Sequence, residues 1–115
     1  MNAIHTKQHK VLIIKVGYSE TLDREIGGTS SYGDVIRTTV ILHILKESHV
    51  TWLVDRKAYP ILKDITEIDR ILAPDPLTIL QLQAEHFDTV INLEKVPGLC
   101  ALADSIKAWR RYGFR

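Results

Sequence analysis

Residues 27–39 have the sequence Gly27-Gly28-Thr29-Ser30-Ser31-Tyr32-Gly33-Asp34-Val35-Ile36-Arg37-Thr38-Thr39, the stretch that decides the fold predicted for this chain. It lies between an apolar, strand-like run, Val11–Val16, and a helix-like run, Val35–Glu47. Glycines and serines crowd the turn between the two runs, which leaves backbone N–H groups at the start of the helix free for an anionic ligand. Asp34 adds a carboxylate at the same place. We therefore expect any chemistry of this chain to occur at this turn.

The composition predicts one small soluble domain. The chain has 115 residues, of which 45% are hydrophobic and 25% charged, as in an ordinary globular protein. A net charge of +1 gives no general attraction to nucleic acid, and the single cysteine, Cys100, cannot form an internal disulfide. The polar N-terminus has no signal-peptide core, and no apolar run reaches the roughly 20 residues that span a bilayer. The expected location is therefore the cytoplasm, with no nucleic-acid partner.

In the first half of the chain, the spacing of the apolar residues changes from that of a strand to that of a helix. Residues 1–9 are predicted to form a flexible tail before the buried strand Val11–Val16. The polar loop 17–33 is longer than the 2–6 residues usual between a strand and a helix. Part of it, Glu20–Ile26, is equally compatible with a functional loop and with a tolerated surface insertion. In the following helix we expect an inward apolar stripe at four-residue spacing, formed by Ile36, Val40 and Ile44 and widened by Ile41 and Leu45.

Strands and helices alternate to the end of the chain. Strands are predicted at 50–54, 68–72 and 89–93, a fifth strand opens at Arg111, and helices are predicted at 56–64, 77–85 and 97–107. This alternation is typical of α/β proteins with a Rossmann-like parallel sheet and helices on both faces. With the first strand central, the expected strand order is 3-2-1-4-5. The 27–34 turn then lies at the switch point, where ligands bind beyond the carboxyl ends of the strands.

Five motifs resemble, in chain order, those of the heptosyltransferases, the family 9 glycosyltransferases of lipopolysaccharide core synthesis. They are Lys10–Lys15 with Ser30–Thr39, Trp52–Asp55, Ile68–Ile71, Phe87–Leu93 and Trp109–Phe114. Three features depart from the family: a longer loop at Tyr18–Thr29, Val40 in place of a common proline, and Glu94 in place of a common glutamine. The resemblance covers only the N-terminal half of a GT-B fold. It implies that residues 10–115 form an acceptor-side domain that is truncated at its C-terminal end.

The resemblance implies an inverting glycosyltransferase that needs no cofactor and no structural metal. The full enzyme would move a sugar, heptose from ADP-heptose, to a lipopolysaccharide-core acceptor, as a cytoplasmic protein that can be peripheral to the inner membrane. The nucleotide-sugar would bind through the missing C-terminal domain, so the 115-residue chain alone is expected to be inactive. A fifth strand that opens only at Arg111, together with an uncovered domain face, also predicts self-association.

Asp34 is the predicted catalytic residue. In the family, the aspartate of the Ser-Ser-x-Gly-Asp motif is taken as the base that accepts the proton of the acceptor hydroxyl, a role suited to a positioned carboxylate. From the residues alone, an N-cap of the following helix is an alternative.

Five further residues are predicted to bind the substrate. Ser30, Ser31 and Gly33 offer hydroxyl and N–H donors to a phosphate or a sugar, although serine and glycine are also ordinary turn residues. Lys15, near the end of a buried strand, faces either an anionic acceptor or solvent. Thr38 lies in the first turn of its helix, beside the loop.

A second function remains open: a non-catalytic Rossmann-like or flavodoxin-like module that binds a partner or a small anion. A second Rossmann-like unit encoded after Arg115 would favour the enzyme. A stop codon there, with a soluble and monodisperse product, would favour the module.

Overall fold

The computed structural model of the protein describes residues 9–17 and 32–114, except for the side chain of Tyr32. Within these residues, one parallel sheet has five strands in the order β3-β2-β1-β4-β5, which confirms the predicted architecture and strand order. The strands are β1 (His9–Ile14), β2 (Ser48–Leu53), β3 (Arg70–Leu72), β4 (His86–Asn92) and β5 (Lys107–Gly113). The predicted tail, apart from His9, and the loop at 18–31 lie outside the described residues, so the proposed domain boundaries stay predictions.

β1 lies at the centre of the sheet because its side chains suit burial on both faces. Val11–Ile14 are completely buried, and a strand without a polar side is typical of the middle of a parallel sheet. Leu12 pairs with Thr51 of β2 on one side and with Val90 of β4 on the other. From β1, the chain continues to β2 and β3 on one side of the sheet and then to β4 and β5 on the other side of β1. The switch point therefore lies at the carboxyl end of β1.

Helical segments cover the sheet on both faces. On one face, α1 (Tyr32–Thr38), a 3₁₀ segment (Thr39–His43) and α2 (Tyr59–Leu62) contribute to the core. On the other face lie α3 (Pro76–Ala84) and α4 (Pro97–Ser105). The sheet residues alternate accordingly, so that Val11 and Ile13 belong to the first core and Leu12 and Ile14 to the second.

Local sequence fixes where α3 begins. The Asp75 side chain caps it by accepting a hydrogen bond from the Thr78 backbone N–H at 2.9 Å, and Pro76 occupies the first turn. That backbone hydrogen bond is the main cause of the lowered pKa of Asp75, and the Arg56 guanidinium, 3.5 Å away, contributes.

The prediction for the helix at 35–47 is wrong in its length and in its buried face. The α-helix ends at Thr38, and a 3₁₀ segment follows. Ile36, Val40 and Ile44 are exposed, while Val35 and Leu42 are buried. Of the predicted stripe, only Ile41 and Leu45 are partly buried and pack against the core. A 3₁₀ helix turns by three residues instead of 3.6, so a four-residue stripe cannot continue through it on one face.

The fifth strand is longer than predicted. β5 begins at Lys107 instead of Arg111, and its pairing with β4 runs from His86 with Lys107 to Asn92 with Gly113. The predicted short edge is therefore wrong. The error arose because β5 is mostly exposed and polar, with none of the apolar run that marks a buried strand.

Candidate active site

The start of α1 places Asp34 in the first helical turn. Asp34 is the third residue of α1, so it lies inside the helix instead of at its N-cap, and the alternative role as a cap does not fit these bounds. Its carboxylate forms an ion pair with the Arg37 guanidinium, one turn further along. The side chain of Asp34 is 41% exposed, so the carboxylate remains within reach of a ligand.

Gly33 and Thr38 both contact the turn that holds Asp34, although Thr38 is the last residue of α1 and not, as predicted, a residue of its first turn. A Cβ atom at Gly33 would lie 3.3 Å from Nη1 of Arg37, so a residue without a side chain leaves room for the guanidinium beside Asp34. The Thr38 hydroxyl donates to the Asp34 carbonyl oxygen at 2.7 Å. The structure thus brings together three of the predicted site residues, Gly33, Asp34 and Thr38. Ser30 and Ser31 lie outside the described residues.

Lys15 lies at the end of β1, and its ammonium group points into the protein. The residue is only 8% exposed. Its Nζ donates to the Leu93 carbonyl oxygen at 3.2 Å and lies 3.9 Å from Oε1 of Glu94. Of the two orientations considered for Lys15, the solvent-facing one is therefore not observed.

Glu94 is the residue at this edge that the sequence did not assign to the site. It follows β4 directly after Leu93, is completely buried, and accepts the Gly17 N–H on Oε2 at 2.7 Å. The signal that could have found it is a charged residue immediately after a buried strand, at the switch point of the sheet. In the sequence, Glu94 differs from the glutamine common at this place in the heptosyltransferases that the chain resembles.

Polar contacts continue along the carboxyl edge in both directions. Towards β5, the Asn92 side chain accepts the Glu94 N–H at 3.0 Å and donates to the Phe114 carbonyl at 2.9 Å. Towards β2, the Trp52 indole donates to the Lys15 carbonyl at 3.0 Å. Buried polar groups that are hydrogen-bonded in this way fix the backbone at the ends of neighbouring strands.

The described residues supply groups for proton transfer and for hydrogen bonding. Asp34 is a partly exposed carboxylate that can accept a proton from a hydroxyl group. Among residues 9–17 and 32–114, no three His, Cys, Asp or Glu side chains come together as metal ligands do. In the same part of the chain, every helix is too short or too polar to cross a bilayer.

Comparison with known proteins finds the same fold in a solved structure. Neither a protein-family model nor a curated protein sequence matches the chain. A solved structure, described as a glycosyl transferase family 9 protein from Veillonella parvula DSM 2008, superposes with a TM-score of 0.66 at 20% identity. The match covers 99% of this chain and 38% of that protein. The chain therefore has the Rossmann-like fold of one part of a family 9 glycosyltransferase and spans well under half of its length.

Proposed function

We propose that this chain is the acceptor-side domain of a heptosyltransferase-like glycosyltransferase of family 9. The observation that carries the proposal is the Asp34 carboxylate, partly exposed at the start of α1, in a fold like that of the family 9 structure. The full protein would transfer heptose from ADP-heptose, bound by a C-terminal domain, to a lipopolysaccharide-core acceptor. It would work in the cytoplasm at the inner membrane surface, without nucleic acid.

In this mechanism Asp34 is the general base. One of its carboxylate oxygens takes the proton of the acceptor hydroxyl while the hydroxyl oxygen attacks the anomeric carbon of the sugar. The bond from that carbon to the diphosphate breaks, the nucleoside diphosphate leaves with the bonding electrons, and the anomeric centre is inverted. Arg37 pairs with Asp34 in the structure, and its largely exposed side chain can move aside when the acceptor arrives.

Ser30, Ser31, Gly33 and Thr38 would contact the acceptor beside Asp34. Gly33 directly precedes Asp34, and Thr38 lies one helical turn after Asp34 and donates to its carbonyl oxygen, which supports this assignment. Support for Lys15 as a contact to an anionic acceptor is weaker, because its ammonium group already contacts Leu93 and Glu94.

The test is Asp34→Asn in the full-length protein, since the 115-residue chain corresponds to 38% of the similar structure. Asparagine keeps the shape of aspartate but cannot accept the proton, so turnover should fall about 10²–10⁴-fold. Acceptor affinity should change far less, because the lost interaction belongs mainly to the transition state. Asp104→Asn is the matched control, because Asp104 is exposed on α4, across the sheet from α1.

A rate that stays above about one-tenth of the wild-type value would contradict the role of Asp34. Full-length protein that transfers no sugar from any nucleotide-sugar, while remaining folded, would favour the non-catalytic module. Thermal unfolding and circular dichroism of each variant establish that a loss of rate does not reflect a loss of fold.

A further inference from the structure

Trp109, the third residue of β5, exposes its indole ring to solvent. It is 85% exposed, more than any other large apolar residue in the described part of the chain. The second tryptophan, Trp52, is completely buried, and its indole N–H has a hydrogen-bond partner. An indole has a large apolar body and one polar N–H, so it is favoured where one side meets an apolar phase and the other meets water. Trp109 therefore suits a partner that offers both environments.

The strand that carries Trp109 is positively charged. β5 has three cationic residues and no acidic residue. Two of them, Lys107 and Arg110, are exposed and form no ion pair within the described residues. The third, Arg111, donates to backbone carbonyl oxygens at the end of α4. Because the net charge of the whole chain is only +1, an anionic partner is attracted by this local charge and not by the chain in general.

A shallow cleft joins the indole ring to the basic side chains. It has a volume of about 260 Å³, and its lining includes His86, Lys107, Trp109 and Arg111 but no acidic side chain of the described residues. His86 and Lys107 are the first residues of β4 and β5, so the cleft lies at the amino-terminal edge of the sheet. The candidate active site lies at the opposite edge. A phosphate group can thus enter the cleft between basic side chains, with the indole ring beside it.

The neighbouring carboxylates do not neutralise the cations of β5. Glu85 and Asp88 flank His86 in the sequence, but Glu85 is paired with Arg70, and Asp88 accepts a backbone N–H of β1 at 2.7 Å. Asp104, near the end of α4, forms no ion pair with a cation of β5. The positive charge beside Trp109 is therefore available to a partner.

The charge and the aromatic side chains select among the possible partners. A second copy that paired its β5 with this edge would place like charges next to each other, which opposes strand pairing. Nucleic acid requires several stacking side chains along a positive groove and a domain that is strongly basic. An indole ring beside a few cations is instead the pattern found where proteins meet the headgroup layer of a bilayer.

We propose that the start of β5 is a docking surface for a bilayer that contains anionic phospholipid. The phosphate of one headgroup enters the cleft beside Lys107, Arg110 attracts the surrounding anionic headgroups, and the Trp109 ring lies between headgroups and acyl chains. The proposed function rests on a location at the inner membrane, and this inference adds the surface that meets the lipid. Vesicle binding tests that surface without any transferase reaction.

The first experiment uses the fluorescence of Trp109 in the 115-residue chain. Vesicles of phosphatidylcholine alone are compared with vesicles of an equimolar mixture of phosphatidylglycerol and phosphatidylcholine. We expect the emission to shift to shorter wavelength with the mixed vesicles only, because the indole ring leaves water. In Trp109→Phe the remaining emission comes from the buried Trp52 and should not respond.

The second experiment measures co-sedimentation with the mixed vesicles. The double variant Lys107→Gln with Arg110→Gln should bind about 25-fold more weakly, because each cation near an anionic surface contributes about fivefold. The matched control, Lys57→Gln with Lys63→Gln, removes the same charge from exposed positions next to α2, between β2 and β3. It should weaken binding less than about twofold, because charges far from the lipid are screened by salt. Circular dichroism shows whether each variant is folded.

Four results would overturn the proposal. They are an unchanged emission spectrum with the mixed vesicles, an equal loss of binding in the two double variants, and tighter binding of a single-stranded oligonucleotide than of the vesicles. The fourth concerns the full-length protein: if acrylamide quenches Trp109 there as little as Trp52, another part of the protein covers the ring. If the full-length protein transfers no sugar, the proposed function fails, but vesicle binding still decides this inference.

Discussion

At Gly113 the backbone of β5 approaches β4 so closely that no side chain fits. Its φ is +95°, and a Cβ atom there would lie 1.9 Å from the Asn92 carbonyl oxygen. The next residue, Phe114, donates its N–H to the same carbonyl at 3.0 Å. Glycine is therefore required where β5 ends, beside the polar contacts of Asn92 and Glu94.

Gly113→Ala should destabilise the domain by at least about 2 kcal/mol, because the left-handed backbone and the clash both oppose a side chain. Gly98→Ala is the matched control, since a Cβ at Gly98 meets nothing within 4 Å and the residue lies in the helix α4. That variant should be neutral or more stable by up to about 1 kcal/mol. Urea unfolding measures both, and equal stability of the two variants would contradict this account.

Arg70 and Glu85 form a bidentate ion pair at the amino-terminal edge of the sheet. Both guanidinium Nη atoms donate to the carboxylate, at 3.1 and 2.7 Å, and the Arg70 Nε donates to Thr51. The hydrogen bonds from Arg70 lower the pKa of Glu85 below its ordinary value of 4.5. The pair joins the start of β3 to the end of α3.

The lowered pKa of Glu85 predicts a loss of stability in acid. A carboxyl group with a lower pKa in the folded state stabilises the fold above its unfolded pKa, and that contribution disappears as the pH falls through the folded value. Glu85→Gln should cost about 1 kcal/mol at pH 7, and the difference from wild type should shrink steadily below about pH 4.5. A difference that does not change between pH 7 and pH 3 would show that the charge of Glu85 contributes nothing.

Among the elements, the buried strands were the easiest to predict from the sequence. Val11–Ile14 is apolar without interruption, which predicted a strand buried on both faces, and the observed strand order is the one expected with β1 at the centre. β5 was placed four residues late, because most of its side chains are exposed and carry no apolar pattern. A strand buried on both faces has a continuous apolar run in its sequence, whereas an edge strand held mainly by backbone pairing has no such pattern.

For the helix after the switch point, the spacing of the apolar residues was not enough to predict the buried face. Isoleucines and valines at four-residue spacing predicted a buried face, but Ile36 is already exposed in α1, and the change to 3₁₀ geometry at Thr39 ends the four-residue period after it. For the site, the turn chemistry predicted a role for Asp34, which stays a prediction, and the sequence alone could not show that Lys15 and Glu94 meet. Their contact depends on the pairing of β1 with β4, far apart in the chain.

Leu42 and Ile44 test the observed orientation of this segment. Leu42→Ala should cost about 2–5 kcal/mol, because the leucine is buried in the core between the sheet and α1. Ile44→Ala should change stability by less than about 0.5 kcal/mol, because that side chain is 83% exposed. The predicted four-residue stripe would require the opposite ranking, so unfolding of the two variants distinguishes the two orientations.

For the molecule as a whole, the described surface has an apolar region beside the last two strands. A pocket of about 160 Å³ is lined by Ile41, Ile44, Leu45, Ile91 and Leu93. Tyr112, the β5 partner of Ile91, is also exposed. Adjacent exposed apolar side chains of this kind can serve as a contact surface for another protein.

We expect the 115-residue chain to self-associate through this apolar region, instead of through a short sheet edge. Ile44→Lys should shift the chain towards monomer in sedimentation velocity by placing a charge in the contact. Leu77→Lys is the matched control, because Leu77 is 79% exposed on α3, on the opposite face of the sheet. A wild-type chain that sediments as a monomer at high concentration would contradict the expectation.

The central position of β1 also has a consequence for the synthesis of the protein. β1 is translated first among the five strands, yet Val11 pairs with Val50 on one side and with Thr89 on the other. A nascent chain therefore carries its most apolar strand with an open edge until β4 has left the ribosome. During translation the domain itself cannot cover that edge, so β1 is the strand most exposed to pairing with another chain until β4 arrives.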